Sequence, residues 1–188
     1  MKKLITFSIA TAFTMVAFSQ ISFHLGPNIS TLSGSDAPFN RYIAGYQVGF
    51  ASEWGETISV QPGIFLIHKG DKNGKETSRI NYLQVPLNTK INLDFGNTRI
   101  FFSYGVYVAC GLWANDRTDQ GKTKQNFGKD NTYRRFDIGG QLMTGIMVGR
   151  VGMNLMYQVG SRGVYHYSGS PTNTSIMLNL SYMLTGVY

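Results

Sequence analysis

From residue 21 to the C-terminus, apolar side chains alternate with small or polar ones at period two. A strand shows its odd and even residues to opposite sides, so such a pattern specifies strands whose two faces meet two different environments. Eight segments carry it, at 21–31, 42–54, 57–68, 79–93, 98–113, 134–148, 151–160 and 173–184. Each is at least as long as the roughly 9 to 11 residues that a tilted strand needs to cross a hydrocarbon layer.

The chemistry of the second face decides the solvent of the first. In the fourth segment Leu83, Val85, Leu87, Ile91 and Leu93 oppose Gln84, Asn88, Lys90 and Asn92. In the sixth, Phe136, Ile138, Leu142 and Ile146 oppose Asp137, Gly139, Gln141 and Gly145, and the eighth sets Ile176, Leu178, Leu180 and Tyr182 against Ser175, Asn179 and Ser181. A soluble β-sandwich would put its greasy face inside and coat the other with Lys, Glu and Asp. Here the second face is mostly Gly, Ser, Asn and Gln, as the crowded interior of a narrow barrel requires. The expected fold is therefore all-β, an eight-stranded antiparallel up-and-down transmembrane barrel. Charged residues make up only 14% of the chain, and no apolar run of helical spanning length follows the first twenty residues.

Connections alternate in length. Residues 32–41, 69–78, 114–133 and 161–172 form long links, while Gly55-Glu56, 94–97 and Gly149-Arg150 form short ones. Outer-membrane barrels have short periplasmic turns and longer external loops, so the four long links are expected outside. The N-terminus reads as an address: basic Lys2 and Lys3, an apolar stretch from Leu4 to Phe18, and small residues at Ala17 and Ser19. Residues 1–19 are thus expected to be a signal peptide cleaved before Gln20, leaving 20–188 as a barrel domain in the cell outer membrane. The single cysteine, Cys110, admits no internal disulfide and suits a lipid-facing position.

Several segments together resemble the PorT-like outer-membrane β-barrel family. They are FHLGPNISTL at 23–32, GYQVGFASEW leading into ISVQPGIFLIHKG, INYLQVPLNTKI, FFSYGVYVACGL, and DIGGQLMTGIMV with GMNLMYQVGSRG. The most specific are the strand ending at Lys69-Gly70 and the run Asn81-Tyr82-Leu83-Gln84-Val85-Pro86-Leu87. The resemblance implies an eight-stranded barrel and no single activity.

The net charge of +7 points to an anionic partner. Lys69, Lys72, Lys75, Arg79, Lys122, Lys124, Lys129, Arg134 and Arg135 fall in or beside the long links, where they are expected to contact lipopolysaccharide or a partner protein. Nucleic acid is not the expected partner, because these cations do not alternate with stacking aromatics. Glu53, Lys90, Arg99 and Asp137 fall on the inward face, and buried charges must pair, so a polar cluster in the lumen is expected. Gly121-Lys122-Thr123 lacks the first glycine of a phosphate-binding loop. His24, His68 and His166 have no metal-ligand spacing, and no cofactor or catalytic residue is assigned. The expected function is a structural or interaction barrel, monomeric in its membrane. The alternatives are an enzyme at the rim using His68 or His166, and a narrow solute channel.

Overall fold

The computed structural model describes residues 20–34, 41–73, 76–118, 121–125, 127, 133–165 and 170–186. The expected signal segment, Lys75, Lys129 and His166 lie outside them, as does the side chain of Lys122. Nine strands are formed: β1 (Gln20–Ser33), β2 (Ile43–Glu53), β3 (Ile58–Asn73), β4 (Glu76–Phe95), β5 (Thr98–Thr118), β6 (Gly121–Gln125), β7 (Phe136–Val148), β8 (Val151–Gly163) and β9 (Thr172–Met183). Eight of them close a barrel in the order β4-β3-β2-β1-β9-β8-β7-β5, with β4 paired to β5 to complete the ring. Every pairing is antiparallel. The ninth strand, β6, pairs only with the far end of β5.

At one end the turns are tight. Phe95 pairs with Thr98 around Gly96-Asn97, and Val148 with Val151 around Gly149-Arg150. Gly96 and Gly149 hold φ of 62° and 55°, the left-handed conformation such two-residue turns demand and side chains resist. At the other end the sheet runs on. The long links expected at 69–78 and 114–133 are largely strand: β3 continues to Asn73, β4 begins at Glu76, and β5 continues to Thr118 before folding back into β6. Backbone pairing has no reason to stop at the membrane edge, because strand hydrogen bonds satisfy the chain equally well in water.

The faces sort as the alternation requires. Leu83, Val85, Leu87, Val106, Val108, Leu142, Leu155 and Leu180 point out and are exposed, whereas Gln84, Asn88, Gln141, Asn154, Gln158 and Asn179 point into the lumen and are buried. Cys110 takes the outward row of β5 opposite Leu83. Glycine makes room within. Tyr107 pairs with Gly139 across β5 and β7, and a Cβ on Gly139 would sit 2.7 Å from the Tyr107 hydroxyl.

Leu142 is 61% exposed and its neighbour Gln141 5%, so they test the facing. With Leu142 in hydrocarbon, Leu142→Arg should cost about 2–4 kcal/mol in unfolding from lipid vesicles and Leu142→Ala much less. A spin label at 142 should collide with oxygen rather than with a polar relaxant. The reverse pattern would mean that the apolar face is turned inward.

Candidate functional site

Inside the barrel the side chains stack in layers. Nearest the tight turns, the Lys90 ammonium donates to Glu53 Oε2 at 2.5 Å, while Ser59 and Asn92 donate to Oε1 at 2.6 and 2.9 Å. That carboxylate accepts from three donors, which is how a buried ion pair repays its desolvation. Phe101 lies under the ammonium with its ring centre 4.2 Å away, and it belongs to an apolar layer with Ala51, Phe65, Ile67, Met143, Met156 and Met177. Amides cross the lumen beside this layer. Gln47 donates to Asn179 and Asn179 to Asn154, while Gln158 donates to Gln141 and Gln141 to Asn88.

A second charged layer lies further out. Asp137 Oδ2 accepts from Asn173 at 3.0 Å and from the Tyr107 hydroxyl at 3.3 Å. The Lys69 ammonium donates to Gln84 at 3.3 Å and sits 4.5 Å above the Tyr107 ring. Above it Leu32, Ile80, Tyr82, Tyr107, Ala109, Ala114, Tyr133 and Val164 form an apolar plug. Among the described residues the charged, amide and apolar layers are all buried within the barrel.

The inward charges are thus divided rather than clustered. Glu53 and Lys90 pair at one end, and Asp137 stands at the other. Arg99, at the mouth of the turn, grips Asp94 through Nε and a terminal nitrogen at 2.5 and 3.0 Å. That grip holds the exposed Asp94 carboxyl below its ordinary range. Lys69 corrects an expectation: it contacts neither lipid nor an external partner, being 0% exposed inside the barrel. The alternation Ile67-Lys69-Asp71 simply continues inward along the extended β3, while His68 and Lys72 take the opposite face. The same parity separates His68 from Ser78, whose hydroxyl hydrogen-bonds to that of Tyr133 on the lumen side. Among the described residues no group of three His, Cys, Asp or Glu is placed to hold a metal.

Of the other cations, Lys72, Arg79, Lys124 and Arg135 are exposed and Arg134 half-buried, with Arg135 over the Phe127 ring at 5.9 Å. Two of them, Lys72 and Arg79, belong to a surface that the sequence did not announce. On the outer wall of β2 to β5, a groove of about 720 Å³ is lined by Tyr46, His68, Lys72, Arg79, Trp113 and Arg117, among others. Tyr46 stacks flat on His68 at 5.5 Å and donates its hydroxyl to Asn81 at 3.3 Å. Trp113 enters this row because the β4–β5 register shifts between Asn81 and Tyr82, which turns both Leu112 and Trp113 outward. The break in alternation at Leu112-Trp113 was the available signal.

A sequence profile described as the outer membrane protein beta-barrel domain matches residues 12–161. Among solved structures, Neisserial surface protein A has a similar fold at a TM-score of 0.54 and 8% identity, over 86% of this chain and 96% of that one. The attachment invasion locus protein Ail of Yersinia pestis, in complex with the heparin analogue sucrose octasulfate, is similar at 0.50 and 10% identity, over 88% and 99%. No curated protein sequence matches.

Two measurements check the charges. Glu53→Gln alone leaves a buried ammonium without its counter-ion and should cost about 3–5 kcal/mol in urea unfolding from vesicles, while Glu53→Gln with Lys90→Met should recover most of it. At the outer end, burial and the nearby Asp116 push the Asp71 carboxyl up to about 6. A raised carboxyl favours folding while protonated, so its contribution is full below about pH 4 and is lost as pH rises through 6. The melting temperature of Asp71→Asn in detergent should therefore exceed the parent's by a margin that grows from pH 4 to 7; a constant margin would leave Asp71 without a titration to lose.

Proposed function

The chain belongs to the outer membrane protein β-barrel domain family, and from that premise we propose that it is an interaction barrel. It is held by a filled, non-conducting body and works through basic groups at its external end on lipopolysaccharide or a partner protein. The observation that carries this reading is the contrast between the two sets of cations. Lys69 and Lys90 are spent inside on Gln84, Tyr107 and Glu53. Lys72, Arg79, Arg117, Lys124 and Arg135 face outward and exposed.

A channel would need a continuous polar path; the buried cluster around Tyr82, Tyr107 and Tyr133, above the Lys69 layer, speaks against one. An enzyme at the rim would need a base held to a nucleophile; His68 lies under Tyr46 on the outer wall opposite Asn81, whereas Ser78 pairs with Asp71 on the lumen face. The finer elements belong to the same proposal: residues 1–19 are a signal removed on export, the barrel is monomeric, and the closer relationship is with PorT-like barrels.

In planar bilayers the refolded protein should give no unitary conductance steps. It should bind lipopolysaccharide vesicles more tightly than zwitterionic ones, by a margin that shrinks as salt rises. Neutralising Lys124, Arg134 and Arg135 together with Gln should narrow that margin. Regular conductance steps, or equal affinity for both vesicles, would count against an interaction barrel.

A further inference from the structure

The groove on the outer wall has an order to it. On β3 and β4 the outward aliphatic rows end at Leu66 and Leu83, and on β5 at Leu112. The next row outward is Tyr46, His68, Asn81 and Trp113, aromatic and amide. The row after it pairs Arg79 with Asn115 and Asn115 with Lys124, and the next pairs Lys72 with Thr77 and Thr77 with Arg117. Two residues per row at about 3.4 Å, on strands tilted about 40°, lift each row by about 5 Å. Arg79 and Lys124 therefore stand about 5 Å beyond the aromatic row and Lys72 and Arg117 about 10 Å, against a headgroup layer that adds roughly 5–7 Å to each side of the hydrocarbon, and the long side chains of the outer row can reach back into it. From the barrel's waist outward, the wall presents aliphatic, then aromatic, then cationic chemistry, which is the order of acyl chain, interface and phosphate in one leaflet.

The depth of the groove comes from the backbone. The β2–β3 ladder runs from Ala51–Gly63 to Gln47–Ile67, breaks, and resumes as a single bridge between Arg41 and Lys72 with one more residue on β2 than on β3. Between those two points β2 and β3 form no regular ladder pairs. Asn28 and Ser30 reach across from β1 to bond the β3 backbone at His68 and Gly70. Gly70, with no side chain, stands beside Arg79 in the gap. Among the described residues none of Lys72, Arg79, Arg117 and Lys124 is ion-paired. Asp116, the one carboxylate among the described residues that line the groove, accepts the Tyr133 hydroxyl at 2.6 Å.

We infer that this groove is a binding site for the phosphorylated headgroup of an outer-leaflet lipid, with Arg79 and Arg117 on the phosphate, Trp113 and Tyr46 at the interface, and the acyl chains lying along Leu66 and Leu83. Guanidinium groups suit the role because their planar fork meets two phosphate oxygens at once. The inference rests on the interaction reading and gives it one address, on the wall of β3 to β5 rather than in the loops.

Trp113 is a built-in reporter, since the only other tryptophan is Trp54 at the opposite end of β2. In a Trp54→Phe background, refolded protein in zwitterionic detergent is titrated with lipopolysaccharide, with the same lipopolysaccharide after removal of its phosphates, and with inorganic phosphate. Lipopolysaccharide should shift Trp113 emission saturably. Arg79→Gln with Arg117→Gln should weaken that binding by about tenfold or more, since charge-assisted contacts are lost. Arg79→Lys with Arg117→Lys should lie between. Dephosphorylated lipid should bind the parent no better than intact lipid binds the Gln variant, and millimolar phosphate should not displace the lipid. Arg150→Gln, at the far turn, should bind as the parent does, and heat-dependent gel mobility shows that each variant has folded. If the folded Gln variant binds intact lipid like the parent, the groove is not the site although the interaction reading survives. Displacement by free phosphate would overturn the lipid assignment. Failure of lipopolysaccharide to bind the parent at all would overturn the groove assignment together with lipopolysaccharide as the target of the interaction reading.

Discussion

In a hydrocarbon layer a backbone amide or carbonyl without a partner costs several kcal/mol, and water is not there to supply one. The pairing of β4 with β5 and of β1 with β9, which joins the two ends of the sheet, leaves no edge at membrane depth. The other features of the molecule follow from that closure. Eight strands in a ring enclose a space just wide enough for side chains, so every inward position is judged by volume and by polar partners. Tyr107 is admitted because Gly139 stands opposite, and Gln141 because Asn88 and Gln158 complete its amide.

Closure also sets how charge is handled within. Lys90 is tolerated because Glu53 meets it at 2.5 Å and Ser59 and Asn92 occupy the other carboxylate oxygen. Lys69 has a softer arrangement, a Gln84 oxygen and the face of Tyr107, with Asp137 as its electrostatic partner. These groups fix the strands in register and seal the lumen between apolar layers. Chemistry directed at other molecules is left to the exterior and to the external end.

At that end the constraint relaxes. Where water or headgroups can satisfy the backbone, the wall tolerates the extra residue in β2 and the register shift in β5. These two irregularities open the groove and rotate Trp113 into it. A perfectly regular barrel would have carried Arg79 and Arg117 on a flat wall.

The fold was legible because alternation is a direct image of the two solvents, and Leu142 beside Gln141 needs no partner to reveal its facing. The inward placement of Glu53, Lys90, Arg99 and Asp137 was legible for the same reason, since parity alone assigns a face. Which of them meet was not, because contact across a lumen depends on shear and stagger, and these join Glu53 to Lys90 while leaving Asp137 at the far end. Lys69 was misplaced because polar residues in a water-exposed extension of a strand look like a loop, and period two does not mark where the membrane ends. The groove was hidden in the same way. Tyr46, His68, Asn81 and Trp113 are far apart in the chain, and only the pairing of four strands, with one residue gained in β2 and one in β5, sets them in a row. Sequence by itself determined the two faces, since each side chain's facing follows from its own position along the strand. Tertiary structure decided the neighbours, because register is a property of strand pairs and not of any single strand.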